Sequence, residues 1–143
     1  MNRLLILVLL LLFTIEFSAS ILETYQDNIP DNIQLFLNKH FKLYEVDKIK
    51  YDADDEKYTI KYKCEFEVEL DSKGNWLSLK RKYNPLPKSV IELLHINTIN
   101  YIAQKYSNKP IIRIKRKSSG YKITLSDKSE LLFDSQGFFI KGD

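Results

Sequence analysis

From Ile29 onward, apolar residues recur first at helical and then at strand spacing, and the whole sequence of patterns occurs twice. Behind Ile29-Pro30, Ile33, Phe36, Leu37 and Phe41 fall on one face of a helix. Tyr58, Ile60, Tyr62, Cys64, Phe66, Val68 and Leu70 then alternate with polar residues, the period of strands. Helical spacing returns behind Leu86-Pro87 as Val90, Leu94, Ile102 and Tyr106, on a helix about two turns longer. Each proline fits the first position of its helix, where a missing N–H costs nothing. A strand is expected before each alternating stretch, over about 45–51 and 111–115.

The ends of the two copies match without a gap. Tyr58-Thr59-Ile60-Lys61-Tyr62 corresponds to Tyr121-Lys122-Ile123-Thr124-Leu125, and Leu70-Asp71-Ser72-Lys73-Gly74 to Phe133-Asp134-Ser135-Gln136-Gly137. Trp76 then falls on Phe139. Residues 58–70 alone read as one long strand, but their partner stretch contains Ser126-Asp127-Lys128-Ser129, which is turn chemistry. Both stretches are therefore read as hairpins. A three-residue loop, Lys63 to Glu65, keeps every apolar residue on one face and sets Lys61 against Glu67 on the other; a two-residue loop would oppose Ile60 to Glu67. Asp71 to Gly74 and Asp134 to Gly137 suit a type I turn closed by a left-handed glycine. The expected fold is α+β: two tandem helix-plus-meander units forming one antiparallel sheet, with helices packed on one face.

The first residues belong to another category. Arg3 precedes an unbroken apolar run, Leu4 to Phe13, which ends before Ser18-Ala19-Ser20. That is the layout of a signal peptide, with cleavage expected after Ser20 or, second, Ala19. The run is short of the ~20 apolar residues that span a bilayer. The expected organisation is a signal peptide at 1–20, an extension at 21–28, and repeats at 29–84 and 85–143, joined by Tyr83-Asn84-Pro85. Cleavage removes one charge of each sign and leaves the net charge at +3. That mild balance indicates neither a nucleic acid nor, after cleavage, a membrane partner. The basic run Arg113 to Lys117 is read as a solvated sheet edge. Cys64 is the sole cysteine, so no internal disulfide is available to a chain expected outside the cytoplasm, periplasmic or secreted.

Two units that each open with a (Leu/Ile)-Pro helix and close with a (Leu/Phe)-Asp-x-x-Gly-x-aromatic hairpin resemble the exported PepSY-like family, described as similar to β-lactamase inhibitor proteins. The Lys39-His40-Phe41 helix end and the Tyr121-x-Ile123-x-Leu125 strand are similar to it as well. The resemblance spans residues 29–142. The family usually closes its first hairpin loop with glycine, where this chain has Glu65 and Lys128. Membership implies an antiparallel sheet with helices on one side and a role outside the cytoplasm, and related PepSY modules are thought to restrain proteases. No binding residues carry over.

Catalytic and metal chemistry finds little support. His40 and His95, both read as helical, have no second ligand at metal spacing, and His40 near a helix C-terminus suits a dipole partner. Cys64 reads as a turn residue, able to oxidise or link chains if exposed there, and Glu65, Glu67 and Glu69 as a solvent-facing row balanced by lysines. Ser119-Gly120-Tyr121-Lys122 matches a Ser-x-x-Lys string but spans a hairpin turn rather than a helix start. No cofactor, metal or catalytic residue is expected. The function expected is a non-enzymatic binding module, inhibitor-like in form, for an envelope or extracellular protein. Its candidate face is Thr59, Lys61, Glu67, Glu69, Lys122, Thr124 and Glu130. The alternative is an envelope sensor of a small molecule or ion, bound in the groove between helices and sheet.

Overall fold

Behind Pro30 the helical spacing produces α1, Asp31–Phe41, which buries Ile33, His40 and Phe41. The computed structural model describes residues 29–143; the expected signal peptide and the 21–28 extension lie outside them. Four strands follow α1: β1 Val46–Asp52, β2 Lys57–Tyr62, β3 Phe66–Asp71 and β4 Trp76–Arg81. Two helices, α2 Lys88–Ile91 and α3 Ile96–Lys105, lead into β5 Ile111–Lys117, β6 Gly120–Leu125, β7 Glu130–Asp134 and β8 Phe139–Gly142. The strands form one eight-stranded sheet in sequence order, each antiparallel to its neighbour. Helix-plus-meander therefore occurs twice, and β4–β5 pairing fuses the two sheets.

Register lines up one apolar row across both units: Ile49, Ile60, Val68, Leu79, Ile114, Ile123 and Leu131. Five of these, from Ile60 to Ile123, are wholly buried. Full burial of such a side chain contributes roughly 1.5–3 kcal/mol, so this row is a main source of the sheet's stability. The helices close over it. Phe41 of α1 stacks on Tyr62 at 5.3 Å and meets Phe66 edge-on at 5.4 Å. Tyr101 of α3 meets Phe133 at 5.6 Å and stacks on Phe139 at 4.7 Å.

The hairpin registers follow the parity argument. Tyr58 faces Leu70, Ile60 faces Val68 and Lys61 faces Glu67 across a loop of Lys63 to Glu65. Glu65 and Lys128 both take positive φ, 65° and 73°, so each loop holds the left-handed bend with a residue other than glycine. Gly74 and Gly137 have φ of 81° and 80°. Asp71 Oδ1 accepts N–H bonds from Lys73 and Asn75, at 2.9 and 2.8 Å, and Asp134 Oδ1 accepts from Gln136 and Phe138 at the same distances. Burial works against charge at Asp71, but the bonds from Asn75 and Lys73 outweigh it and hold its carboxyl below the usual range. Leu70 lies opposite Trp76 and Phe133 opposite Phe139, as expected.

These turns also have a tertiary role that periodicity does not reveal: each sits against the start of its unit's helix. Asn32 Nδ2 donates to the Ser72 carbonyl at 3.4 Å. Asn97 Nδ2 donates to the Gln136 carbonyl at 2.9 Å, and Thr98 Oγ1 to the Gly137 carbonyl at 3.2 Å. A Cβ on Gly137 would stand 2.8 Å from His95 Cβ; one on Gly74 would stand 3.0 Å from Asn32 Nδ2.

Several expectations need correction. The prolines stand one residue earlier than expected, as extended caps with ψ of 143° and 152°. Their carbonyls accept the first helical N–H groups: Pro30 from Ile33 and Gln34, Pro87 from Val90 and Ile91. The long second helix is two helices. Leu93 and Leu94 bond three residues back, to Val90 and Ile91, which tightens and ends α2. His95 then takes an extended conformation and accepts the Asn97 N–H on Nδ1 at 3.2 Å, so it caps α3 rather than lying inside a helix. Val90, Leu94 and Ile102 still reach the core, because both short helices lie on the same sheet face. β5 lies in the middle of the sheet, between β4 and β6, so Arg113 to Lys117 is no edge.

His40 is buried with Nδ1 lacking a hydrogen-bond partner among the described residues, and its ring packs on Phe36 at 4.8 Å. Burial, and then Lys39, lower its pKa, the reverse of a charged dipole partner. Cys64 lies in the turn, as expected, and is half-buried against the core there. Glu65 lies in the turn, outside the row of Glu67 and Glu69.

Candidate functional site

Strand alternation sends every second side chain to the face away from the helices. Register carries two polar rows across that face. One runs Lys48, Lys61, Glu67, Lys80, Arg113, Thr124, Glu130. The next runs Lys50, Thr59, Glu69, Ser78, Lys115, Lys122, Leu132, Lys141. All the candidate residues read from the sequence lie in these rows, in two groups. Thr59, Lys61, Glu67 and Glu69 meet on β2 and β3; Lys122, Thr124 and Glu130 meet on β6 and β7. Strands β4 and β5 separate the groups.

Sequence reasoning missed the residues between and beside them: Lys48, Lys50, Ser78, Lys80, Arg113 and Lys115. A signal was present. Lys48-Ile49-Lys50 and Arg113-Ile114-Lys115 are the same basic–Ile–basic triplet, and the structure places them at equivalent points. Val46 pairs with Tyr62 as Ile111 pairs with Leu125, and a bulge follows in both strands. Lys48 thus corresponds to Arg113, and Lys50 to Lys115. The correspondence was hidden because the turn after β1 is longer than Ser118-Ser119 after β5, which breaks an ungapped match.

The charges on this face are unevenly spent. Glu67 sits 3.5 Å from both Lys61 and Lys80. Glu69 pairs with Lys57 at 3.8 Å and Glu130 with Lys122 at 2.5 Å. Arg113 donates Nε–H to Ser78 Oγ at 3.3 Å, where Ser78 is buried in the middle of the face. Lys48, Lys50, Lys115 and Lys141 have no carboxylate partner among the described residues. Among the described residues every glutamate on the face is paired, while about half of its cations are not.

On the helix side of the described residues lie apolar hollows, one in each unit. One of about 90 Å³ lies between α1 and β1, lined by Leu37, Phe41, Tyr44, Val46 and Ile49. Its counterpart in the second unit, about 280 Å³, is lined by Ile99, Ile102, Ala103, Tyr106 and Ile111. The first is far below the roughly 300–1,000 Å³ of small-molecule sites, and the second lies at their lower edge. Among the described residues, no three His, Cys, Asp or Glu side chains converge to hold a metal ion.

The family described as "Putative beta-lactamase-inhibitor-like, PepSY-like" matches residues 18–72 and 56–141. No curated protein matches the chain. Among solved structures, a "putative periplasmic protein of unknown function" from Bacteroides vulgatus is 28% identical with a TM-score of 0.71, over 82% of this chain and 93% of that one. A second "putative periplasmic protein" from the same organism is 27% identical, TM-score 0.71, over 82% and 91%. A "putative calcium-regulated periplasmic protein" from Bacteroides thetaiotaomicron is 27% identical, TM-score 0.72, over 82% and 91%. With the family's pattern matched in both halves and over most of its length, the chain belongs to the PepSY-like family.

Proposed function

We propose that the protein is an exported, non-catalytic binding module that docks another protein on the open face of its sheet. The observation that carries this reading is a face left bare by the helices yet crossed by polar residues in register. Seven strand spacings make it about 34 Å wide, the scale of a protein interface of roughly 800 Å² a side. The periplasmic descriptions of the relatives support export, as do Arg3, the Leu4 to Phe13 run and Ser18-Ala19-Ser20. The inhibitor-like description of the family supports binding over catalysis, and both histidines serve structure, one as a cap and one in the core. Crosslinking in the native host, with identification of the captured protein, tests the reading. A folded Lys61→Glu, Glu67→Lys double variant is expected to lose capture; undiminished capture moves the site elsewhere.

One relative's calcium-regulated description favours a second reading, an envelope ion sensor. Calcium takes six to eight oxygen ligands, carboxylates prominent among them, and among the described residues no three His, Cys, Asp or Glu side chains converge to hold a metal ion. A calcium titration followed by thermal melting separates the two: a raised midpoint supports the sensor, an unchanged one the docking module.

A further inference from the structure

We infer that each unit carries its own cationic cluster on the open face, and that the partner is an acidic protein segment bridging the two. This deepens the docking reading and rests on it. The first cluster is Lys48, Lys50, Lys61, Thr59 and Glu67, and these five residues line one hollow of about 260 Å³. At the equivalent register of the second unit stand Arg113, Lys115, Lys122, Thr124 and Glu130. Between the units Lys and Thr exchange strand positions: Thr59 and Lys61 correspond to Lys122 and Thr124. The content survives the exchange, three cations, one hydroxyl and one carboxylate in each.

In both clusters the carboxylate is already held by the cluster's own lysine, Glu67 by Lys61 and Glu130 by Lys122. Among the described residues the leading pair of cations has no carboxylate, Lys48 and Lys50 in one cluster, Arg113 and Lys115 in the other. Arg113 uses one of its five donors on Ser78. Such a surface is complementary to carboxylates supplied from outside. The interspersed Glu67, Glu69 and Glu130 break the face into separate basic points. That suits acidic side chains at intervals better than the continuous charge of a lipid surface, which calls for an unbroken basic patch.

The spacing gives the inference a measurable form. The two leading pairs lie on β1 and β5, four strand spacings apart, or about 19 Å. An extended segment covers that in about six residues. A labelled twelve-residue Glu-rich peptide can reach both clusters, and a four-residue one only a single cluster. By fluorescence anisotropy at low salt, the longer peptide is expected to bind the purified protein about tenfold tighter or better, through the linked second contact. Lys48→Glu with Lys50→Glu should bring that advantage down to about threefold or less. Arg113→Gln with Lys115→Gln, which keeps the central strand's side-chain stems, should do the same. Lys39→Glu with Lys42→Glu, an equal charge change on the helix side, should leave it intact.

Equal affinity of the two peptides overturns the inference. So does equal loss in the Lys39, Lys42 control, and so do phosphatidylglycerol vesicles that outcompete the peptide. A natural partner captured on the sheet face of the Lys48, Lys50 variant as well as of the wild type would sink the acidic-segment inference and leave docking standing. Capture through the helix side would sink both.

Discussion

In the first unit, α1 runs unbroken for 11 residues, and its start touches the Asp71–Gly74 turn through a single long bond from Asn32. In the second unit the helical segment is split, and the freed start of α3 grips the Asp134–Gly137 turn with Asn97, Thr98 and the packed ring of His95. The strands show no such divergence. Hairpin registers, turn bonds and even the bulge in the leading strand repeat from one unit to the other. Sheet register tolerates no half-measures, because a slip of one residue turns every side chain to the other face. A helix packed on a sheet has more freedom, provided its apolar residues still land on the core.

The largest expected effect tests whether the two units stand or fall together. Ile60 and Ile123 are equivalent, wholly buried, and joined by the row through Leu79 and Ile114. Alanine at either position should cost roughly 2–4 kcal/mol through the cavity left behind. Denaturant melts of both variants should show one shared transition, and two separate transitions would make the units independent domains.

The glycines sharpen the comparison. Val at Gly74 should cost about 1–2 kcal/mol for the left-handed backbone. Val at Gly137 should cost about 3 kcal/mol, since its Cβ would come within 2.8 Å of His95 and 2.9 Å of Thr98, closer than the 3.0 Å approach to Asn32 at Gly74. Equal losses in urea melts would deny the tighter grip in the second unit. Removing the cap with His95→Ala should cost about 1 kcal/mol, an effect with no counterpart at α1, whose start has no side-chain cap.

His40 marks a further asymmetry. Its folded-state pKa lies below the ordinary 6.5, chiefly through burial. As pH falls the unfolded chain takes up this proton first, so His40 favours folding above about 6.5 and that contribution is lost on acidification below it. The urea midpoint should drop between pH 7.5 and 5.5, and His40→Leu should flatten that drop. Smallest of all, reversing Lys61 and Glu67 together should change stability by less than about 1 kcal/mol, as exposed pairs do.

What could be read from the sequence was what period and turn chemistry decide locally. Parity placed Lys61 against Glu67, and the Asp-x-x-Gly pattern located both left-handed glycines. The split near His95 was not legible, because Val90, Leu94 and Ile102 keep a helical spacing whether or not the helix pauses between them. Nor was the place of β5 at the centre, since only β4–β5 pairing, across an insertion of two helices, puts it there. The candidate face was therefore read as two hairpin patches, and the cations of β1, β4 and β5 that join them were left out.

The most direct measurement of the central claim places a photocrosslinking residue at Lys115, in the middle of the open face, and another at Lys39, on the exposed side of α1. Both variants are irradiated in the native host and their adducts resolved by mass. A protein adduct from position 115 that is absent from position 39 is the predicted result. An adduct from position 39 alone would contradict it and move the binding surface to the helices.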